Sequence, residues 1–202
     1  MAHRPRSEMI AETRSKLIAS ARRAFGTVGY ADASMDDFAA EVGLTRGAIY
    51  HHFGGKDGLL EAVVMQIDAE MTARLNAVSA GADNPWRGFV NECVAYIEMA
   101  LEPEIQRILH RDGPAILGDP SRWSNQDGCI AALTASVTRL QEEGYVRRDI
   151  TPAAAARLVN GASLHAAQWI ANSDAPEAVS AELVAAFKAM LDGFRIGDRR
   201  DD

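Results

Sequence analysis

The chain has 202 residues, of which 48% are apolar and 24% charged, and its formal net charge is −7. These values are ordinary for a soluble globular protein. No apolar run approaches the roughly 18 residues that span a bilayer, and the basic N-terminal residues precede no apolar segment of a secretory signal. The two cysteines, Cys93 and Cys129, form no CxxC pair. Free thiols in a reducing cytoplasm are the simplest explanation, so we expect a cytoplasmic protein.

The chain opens with a short basic segment, and we expect a flexible arm over about residues 1–8. Arg4 and Arg6 within this arm could reach the backbone or the minor groove of DNA. A solvated tail without a partner is the plainer interpretation of the same residues, and both interpretations stay open.

Residues 34–56, SMDDFAAEVGLTRGAIYHHFGGK, contain two short helical patterns on either side of Gly43. Ser34 is a residue type that caps helix N-termini, and Asp37 favours the same start through a capping box or the helix dipole. Apolar residues then follow at the spacing of one helical face, namely Met35, Phe38, Ala39 and Val42. Gly43 comes next, where a helix end favours a residue that tolerates positive φ. The pattern predicts a helix-turn-helix.

The second predicted helix exposes more polar and aromatic groups than its stability requires. Its apolar positions are Ala48, Ile49 and Phe53, and its opposite side carries Thr45, Arg46, Gly47, Tyr50 and His51. Arginine can bind guanine or a phosphate, tyrosine and histidine donate to phosphate oxygens, and glycine permits close approach to a groove. His52 and Lys56 extend the set, because Lys56 begins a long helix whose N-terminus attracts anions. DNA binding is therefore the leading interpretation.

At these residues the chain resembles the TetR family of bacterial transcriptional regulators. The match covers about residues 14–56, at Phe25, Gly29, Tyr30, Ser34 to Ala39, Gly43 to Thr45, Gly47, Tyr50, His52, Phe53 and Lys56. The rest of the chain agrees with the family only in length and helical character. The resemblance implies an all-α fold, with a three-helix helix-turn-helix domain over residues 1–56. A helical bundle for ligand binding and dimerisation would occupy residues 57–202.

The resemblance also implies a role for each matching residue. The base-edge and phosphate roles of the recognition helix fall on Thr45, Arg46, Gly47, Tyr50 and His51. Phosphate roles alone fall on Ser34, His52 and Lys56. One position departs from the family, because relatives often carry Ser or Asn before the lysine and this chain has Gly55. Glycine is a weaker cap, so we expect the first turn of the following helix to be loose until DNA binds.

Charge is divided unevenly along the chain. Residues 1–56 hold eight Lys or Arg and six Asp or Glu, whereas residues 57–202 hold thirteen and twenty-two. The N-terminal part is therefore mildly basic on an acidic chain, and phosphates respond to charge within about a Debye length. We expect moderate non-specific affinity for DNA with a strong dependence on salt.

Beyond Lys56 the sequence predicts one helix after another. Apolar residues recur at steps of three and four from Leu60 to Val78 and predict a long helix, which a Gly81 to Pro85 break ends. The last two helices carry broad apolar faces, and the first of them is rich in small residues. Both could be plain core. In a TetR-like subunit they pair with their copies in a homodimer, so that two recognition helices read a palindromic operator in double-stranded DNA.

The C-terminal part could also enclose an apolar pocket with a few polar groups. The candidate lining residues are Phe89, Cys93, Tyr96, Ile108, Trp123, Val137, His165 and Trp169. By resemblance, a small apolar effector bound there would tilt the long helix, change the separation of the two recognition helices and release the operator. For any single one of these side chains, solid core is the plainer interpretation.

Two alternatives belong to other functional classes. An enzyme finds little support, since the sequence contains no GxSxG, GxGxxG, Walker or HExxH motif. The adjacent His51 and His52 fall on different helix faces, which suits a metal ion poorly. A helical small-molecule-binding protein without DNA recognition is the second alternative, and Arg46 and Lys56 argue against it. We predict a ligand-responsive regulator, most simply a repressor, with no cofactor or metal.

Overall fold

The structure, a computed structural model, describes residues 6–196. Within them the chain is helical, and its one β contact is an isolated antiparallel bridge between Val146 and Arg195. The predicted all-α fold is therefore confirmed. Residues 1–5 of the predicted arm, including Arg4, lie outside the described residues, whereas residues 6–8 already belong to the first helix.

The helices follow one another through short turns. The first five are α1 (Arg6–Thr27), α2 (Met35–Glu41), α3 (Arg46–Phe53), α4 (Lys56–Ala80) and α5 (Pro85–Glu98), and α5 continues into a 3₁₀ turn at Met99–Leu101. A bent helical segment then comprises α6 (Pro103–Ile105), a π-helical stretch (Gln106–Asp112) and α7 (Gly113–Leu117). A 3₁₀ turn (Pro120–Arg122) leads to α8 (Gln126–Glu142), α9 (Pro152–Ala171) and α10 (Pro176–Asp192).

The described residues form two compact units. The head unit consists of residues 6–68 together with Pro103–Gly118, and the body unit consists of Ala69–Glu102 together with residues 119–196. The predicted boundary at Lys56 coincides with the start of α4, but α4 is shared between the two units. The segment Pro103–Gly118 belongs to the head unit, although the sequence-based division assigned it to the body.

Aromatic stacking and aliphatic packing form the core of the head unit. The ring of Phe25 in α1 meets Phe38 of α2 edge to face, with 5.5 Å between the ring centroids. Ile49 of α3 is fully buried. The predicted apolar face of α2 is confirmed at Met35, Phe38 and Ala39, which are all buried. Packing against the core fixes α2 and α3, so their remaining faces are presented to solvent.

Polar contacts attach the segment Pro103–Gly118 to α1 and the turn after it. The guanidinium of Arg22 makes two hydrogen bonds of 2.8 Å to the carboxylate of Glu104. The Tyr30 N–H donates to Asp112 at 2.8 Å, and Arg107 donates to the carbonyl of Thr27. Hydrogen bonds to a charged group, such as those of Arg22 with Glu104 and of the Tyr30 N–H with Asp112, are stronger than ordinary surface contacts. This segment is therefore a fixed part of the head unit.

The body unit is a four-helix bundle of α5, α8, α9 and α10. Its core contains Phe89 and Ile97 of α5, Leu140 of α8, Ile170 of α9 and Leu191 of α10. The helices α5, α9 and α10 each begin with a proline. Proline is tolerated there because the N–H groups of a first helical turn have no intrahelical acceptor. Among residues 6–196, no helix has the length and apolarity that crossing a membrane requires.

Candidate nucleic-acid interface

The turn between α2 and α3 forms as the sequence predicts. Ser34 accepts a hydrogen bond from the Asp37 N–H at 3.4 Å and so caps α2. At the other end Gly43 has φ +70°, the left-handed conformation expected of it. The Leu44 N–H donates to the Ala39 carbonyl at 2.7 Å, and the Gly43 N–H donates to the Ala40 carbonyl at 3.1 Å. This pair of bonds is a Schellman closure, and it fixes the start of α3.

The exposed side of α3 carries the residues predicted to contact DNA. Arg46, Gly47, Tyr50 and His51 are exposed, and the Tyr50 side chain is 52% exposed. Thr45 has the extended backbone of an N-cap residue, but its side chain makes no capping hydrogen bond. Thr45 as a whole is exposed.

A cleft of about 460 Å³ brings together residues from three helices. Its lining residues are Ala33, Ser34, Met35, Asp36, Arg46, Tyr50, Gly54, Gly55, Lys56 and Asp57. Four of the predicted DNA-contacting residues, Ser34, Arg46, Tyr50 and Lys56, thus share one surface. The cleft also adjoins the N-terminus of α4, whose free N–H groups and dipole favour an anion.

Contacts within the head unit hold Lys56 at this N-terminus. Its Nζ lies 4.4 Å from the centroid of the Tyr30 ring and 3.4 Å from the carbonyl oxygen of Ala31, to which it donates. The Tyr30 hydroxyl donates to the carboxylate of Asp57. Burial, and then that hydrogen bond, raise the pKa of Tyr30, so the phenol stays protonated and remains a donor. Lys56 therefore has a defined position before any phosphate binds.

Arg46 is held much more weakly. Its Nη1 lies 3.7 Å from the carboxylate of Asp36, and both side chains are more than half exposed. Its guanidinium carbon lies 6.0 Å from the centroid of the Tyr50 ring. Exposed pairs of this kind contribute little to stability, so Arg46 can leave Asp36 for a base or a phosphate at small cost.

Arg14 of α1 supports the end of α3, a role that the sequence pattern did not indicate because the partners lie 38 positions apart. It donates to the carbonyl of His52, and its guanidinium carbon lies 4.3 Å from the centroid of the Phe53 ring. His52 is partly buried, and burial, followed by the nearby charges of His51 and Arg14, lowers its pKa. The His52 imidazole is therefore neutral near pH 7, whereas the neighbouring His51 side chain is exposed.

The turn between α3 and α4 depends on glycine at three positions. Gly54 and Gly55 have φ +77° and +134°, conformations that side chains rarely adopt. A Cβ on Gly58 would lie 1.8 Å from the carbonyl oxygen of Phe53. At the first turn of α4 the Leu59 N–H donates to the Gly55 carbonyl at 3.1 Å, and the loose turn expected from Gly55 stays a prediction. These glycines set the angle between α3 and the N-terminus of α4.

The residues predicted to line an apolar pocket differ in their burial. Phe89, Cys93 and Val137 are packed in the core of the body unit with at most 5% exposure. Tyr96 and Trp123 are partly buried, and Ile108 is buried in the head unit. His165 and Trp169 lie on the exposed face of α9, and Trp169 is 57% exposed. His165 and Trp169 are therefore exposed and not part of an internal pocket, whereas Phe89, Cys93 and Val137 belong to the core of the body unit.

Comparison with known proteins identifies both parts of the chain. The family model described as "Bacterial regulatory proteins, tetR family" matches residues 17–63. The model described as "Tetracyclin repressor-like, C-terminal domain" matches residues 86–194, more than half of the chain. The chain belongs to the TetR family. The resemblance predicted from residues 14–56 is thereby confirmed and extended to the body unit.

Individual relatives agree with this assignment. A TetR-family transcriptional regulator from Pectobacterium atrosepticum has 48% identity and a TM-score of 0.89, with 97% of this chain and 100% of that chain covered. An HTH-type transcriptional repressor of Mycobacterium tuberculosis is 30% identical over 71% of this chain and 73% of its own. The repressor AcnR of Corynebacterium glutamicum is 27% identical over 68% and 71%.

TetR-family proteins are DNA-binding transcriptional regulators that respond to ligands, and they are typically dimers. This member is accordingly a regulator and not an enzyme, which removes the first of the two alternatives. Among residues 6–196, no group of three or more His, Cys, Asp or Glu side chains is arranged to hold a metal ion.

Proposed function

We propose that the protein is a transcriptional repressor that binds a palindromic operator as a homodimer, and that a small molecule bound by the body unit releases it. The observation that carries this proposal is the cleft of the head unit, where Ser34, Arg46, Tyr50 and Lys56 share one surface. The relatives from Mycobacterium tuberculosis and Corynebacterium glutamicum are named as repressors, which supports repression over activation. Its place of action is then the cytoplasm, with the DNA that it regulates.

The geometry supports different roles along this surface. Lys56 and the N-terminus of α4 suit a backbone phosphate, and the capped start of α2 at Ser34 suits another. Arg46 and Tyr50 suit base edges in the major groove, because both side chains extend from the exposed face of α3. Thr45, Gly47 and His51 adjoin them on the same helix, and His52 follows at its end. These are the eight residues that we propose contact DNA.

The outer face of α9 supports dimerisation through the last two helices. Leu158 is 64% exposed and Trp169 is 57% exposed. Between them lie Gly161, where an added Cβ would meet nothing within 4 Å, and the exposed His165. These positions recur at steps of three and four and form one helical stripe. Two large exposed apolar side chains with a small residue between them fit close packing against a second copy.

A dimer explains why the operator would be palindromic. Two identical recognition helices related by a twofold axis read two inverted half-sites about one helical turn of DNA apart. Release by a ligand requires only that the ligand bind one arrangement of the dimer more tightly than the other. Because α4 begins at Lys56 in the head unit and ends at Ala80 in the body unit, it is the element through which we expect the two sites to be coupled.

Binding of purified protein to DNA from upstream of its own gene and of the neighbouring genes tests this proposal. Fluorescence anisotropy should detect at least one fragment that binds far more tightly than random DNA of equal length. Lys56→Ala should weaken that binding, whereas Arg148→Ala, which removes an exposed arginine of the body unit, should leave it unchanged. Equal affinity for all fragments would instead favour the second alternative, a helical small-molecule-binding protein without operator recognition.

A further inference from the structure

An open groove of about 590 Å³ lies within the body unit, where the end of α4 and the following turn face α5 and α8. Its lining residues are Asn76, Ser79, Ala80, Ala82, Asp83, Asn84, Pro85, Glu92, Ala132, Ala135, Ser136 and Arg139. This volume is within the range of small-molecule sites. The lining is rich in amides, hydroxyls and charged groups, so it differs from the apolar pocket that the sequence suggested.

A glycine determines how closely two walls of this groove approach. A Cβ on Gly88 of α5 would lie 2.8 Å from the carbonyl oxygen of Ser79 in α4. Only glycine therefore lets α5 pack this near the end of α4. Glu92 lies one helical turn after Gly88 on the same face, and the Ser79 hydroxyl donates to its carboxylate. On α8, Ala132, Ala135 and Ser136 are small and leave the space open.

The charges of the groove favour a cation at its inner wall. Glu92 is partly buried, and burial raises the pKa of its carboxyl while Ser79 and the charge of Arg139 oppose that rise. The last carbonyls of α4 add the negative end of its dipole on the same side. The other acidic residue of the groove, Asp83, is already paired with Arg87, with 3.3 Å between Oδ2 and Nη1. Glu92 is thus a partly desolvated carboxylate that a ligand cation would stabilise.

We propose that this groove is the effector site and that the effector is a small polar molecule whose ammonium group pairs with Glu92. The inference rests on the proposed function, since it names the ligand class for the effector assumed there. Exposed Arg139 lies on α8, where its charge already acts on Glu92, and it would pair with a carboxylate if the amine is an amino acid. Asn76 and Ser79 belong to the last turns of α4, so a bound amine contacts the helix that begins at Lys56.

Thermal unfolding of the full-length protein without DNA tests this site. The probes are putrescine and cadaverine as cations, lysine and ornithine as amines with a carboxylate, and decanoate as an apolar control without an amine. At millimolar concentration at least one amine should raise Tm by about 2 °C or more, because a ligand that binds only the folded state stabilises it. Decanoate should leave Tm unchanged.

Variants distinguish binding in this groove from a general stabilisation of the protein by amines. Glu92→Gln should lower the affinity for the active amine roughly tenfold or more, whereas Glu98→Gln, on the same helix but outside the groove, should not. Ala135→Phe should abolish binding by filling the groove. Glu92→Gln removes a partly desolvated charge, so it should fold at least as stably as the parent, and Ala135 is exposed and tolerates a larger side chain.

The responses to the different ligands identify the subclass of the effector. Binding of lysine or ornithine that depends on Arg139, lost in Arg139→Gln, supports an amino acid, and binding of diamines that survives Arg139→Gln supports a simple cation. No shift with any amine, or a shift unchanged in both Glu92→Gln and Ala135→Phe, would overturn the proposal. Because no DNA is present, such a failure leaves the test of operator binding unaffected, and a failure of operator binding leaves this measurement valid.

Discussion

At the scale of single residues, Arg46 and Lys56 are prepared for different contacts. Lys56 is held between the Tyr30 ring and the Ala31 carbonyl, so its ammonium has a defined place at the N-terminus of α4. Arg46 has only the exposed pair with Asp36 and can adapt to the base edges that it meets. The fixed ammonium of Lys56 suits the repeating phosphate backbone. The guanidinium of Arg46 can adjust its position and make two hydrogen bonds to a particular guanine.

Replacing these two residues should therefore have different effects. Arg46→Ala should weaken operator binding by about 1–3 kcal/mol and relax the preference at one base position. Lys56→Ala should weaken operator and random DNA alike and reduce the slope of log K against log salt by about one. Anisotropy titrations on both DNAs at two salt concentrations measure this. A sequence-dependent effect of Lys56→Ala with a uniform effect of Arg46→Ala would reverse the assigned roles.

A second residue-scale prediction concerns pH. Burial lowers the pKa of His110 to about 4, below the roughly 6.5 of an unfolded histidine. Between these values the unfolded chain binds more protons, so stability is complete above about pH 6.5 and is lost as the pH falls toward about 4. The free energy of unfolding should be about 2 kcal/mol lower at pH 5 than at pH 7. Urea denaturation followed by circular dichroism measures the difference.

The control for this prediction is His110→Gln, which cannot titrate. Its unfolding free energy should change much less between pH 7 and pH 5, with a remainder from His52, whose lowered pKa acts in the same direction. The difference between the two pH values is the quantity compared, so a loss of absolute stability in the variant does not affect the result. An unchanged pH dependence would mean that His110 is not the titrating group.

The sequence allowed some of these residue-level features to be predicted and not others. Ser34 and Gly43 are recognisable because capping and positive φ are local preferences of those residue types. The contact between Arg14 and the His52 carbonyl joins positions 38 apart and leaves no local pattern. Gly55 was read as a weak cap, whereas its φ of +134° makes it a requirement of the turn.

At the scale of secondary-structure elements, the turn between α3 and α4 controls the DNA-binding surface. Gly58→Ala should force the Phe53 carbonyl away from the first turn of α4, because the added Cβ would lie 1.8 Å from that oxygen. We expect a loss of roughly 2–3 kcal/mol in stability and a clear loss of operator affinity. Gly128→Ala is the matched control, since nothing lies within 4 Å of its Cβ.

Thermal unfolding and operator titrations of both variants measure this effect. Gly128 lies in α8, and alanine there should stabilise the protein by up to about 1 kcal/mol through helix propensity, with operator binding unchanged. If Gly58→Ala behaved like Gly128→Ala, the close approach of α4 to Phe53 would not be a requirement of the fold.

The segment Pro103–Gly118 shows where element-level prediction from sequence ends. Its helical character was predicted, but its membership of the head unit was not. That membership depends on Arg22 with Glu104 and on Tyr30 with Asp112, and each pair is separated by 82 positions. Polar pairs that lie so far apart in the sequence leave no periodic pattern. The segment was therefore assigned to the predicted C-terminal bundle, like the residues on either side of it.

At the scale of the whole molecule, the two faces of α9 explain why its residues were misassigned. One face carries Val159 and Ile170 into the core, and the other exposes Leu158 and Trp169. Both faces carry large apolar side chains, so helical periodicity alone cannot separate a core face from a face that meets a second copy. Trp169 and His165 were therefore predicted to line an internal pocket, whereas both are exposed and belong to the proposed dimer interface.

The dimer can be tested through this exposed stripe. Trp169→Glu should bury an unpaired charge at the proposed twofold interface and convert the dimer to a monomer at micromolar concentration. Val28→Glu changes another exposed apolar residue, in the head unit, and should leave the dimer intact. Sedimentation velocity measures both. A parent protein that sediments as a monomer, or a Trp169→Glu variant that remains a dimer, would contradict the interface.

The central claim, a dimeric reader of a palindromic site, is tested most directly by sequencing the DNA that the purified full-length protein selects from a random library. Enrichment of an inverted repeat is predicted, with half-sites about one helical turn apart, roughly 34–36 Å. The same selection with Arg46→Ala should retain the repeat and lose the preference at one position of each half-site. No enriched motif, or a motif without twofold symmetry, would contradict the claim.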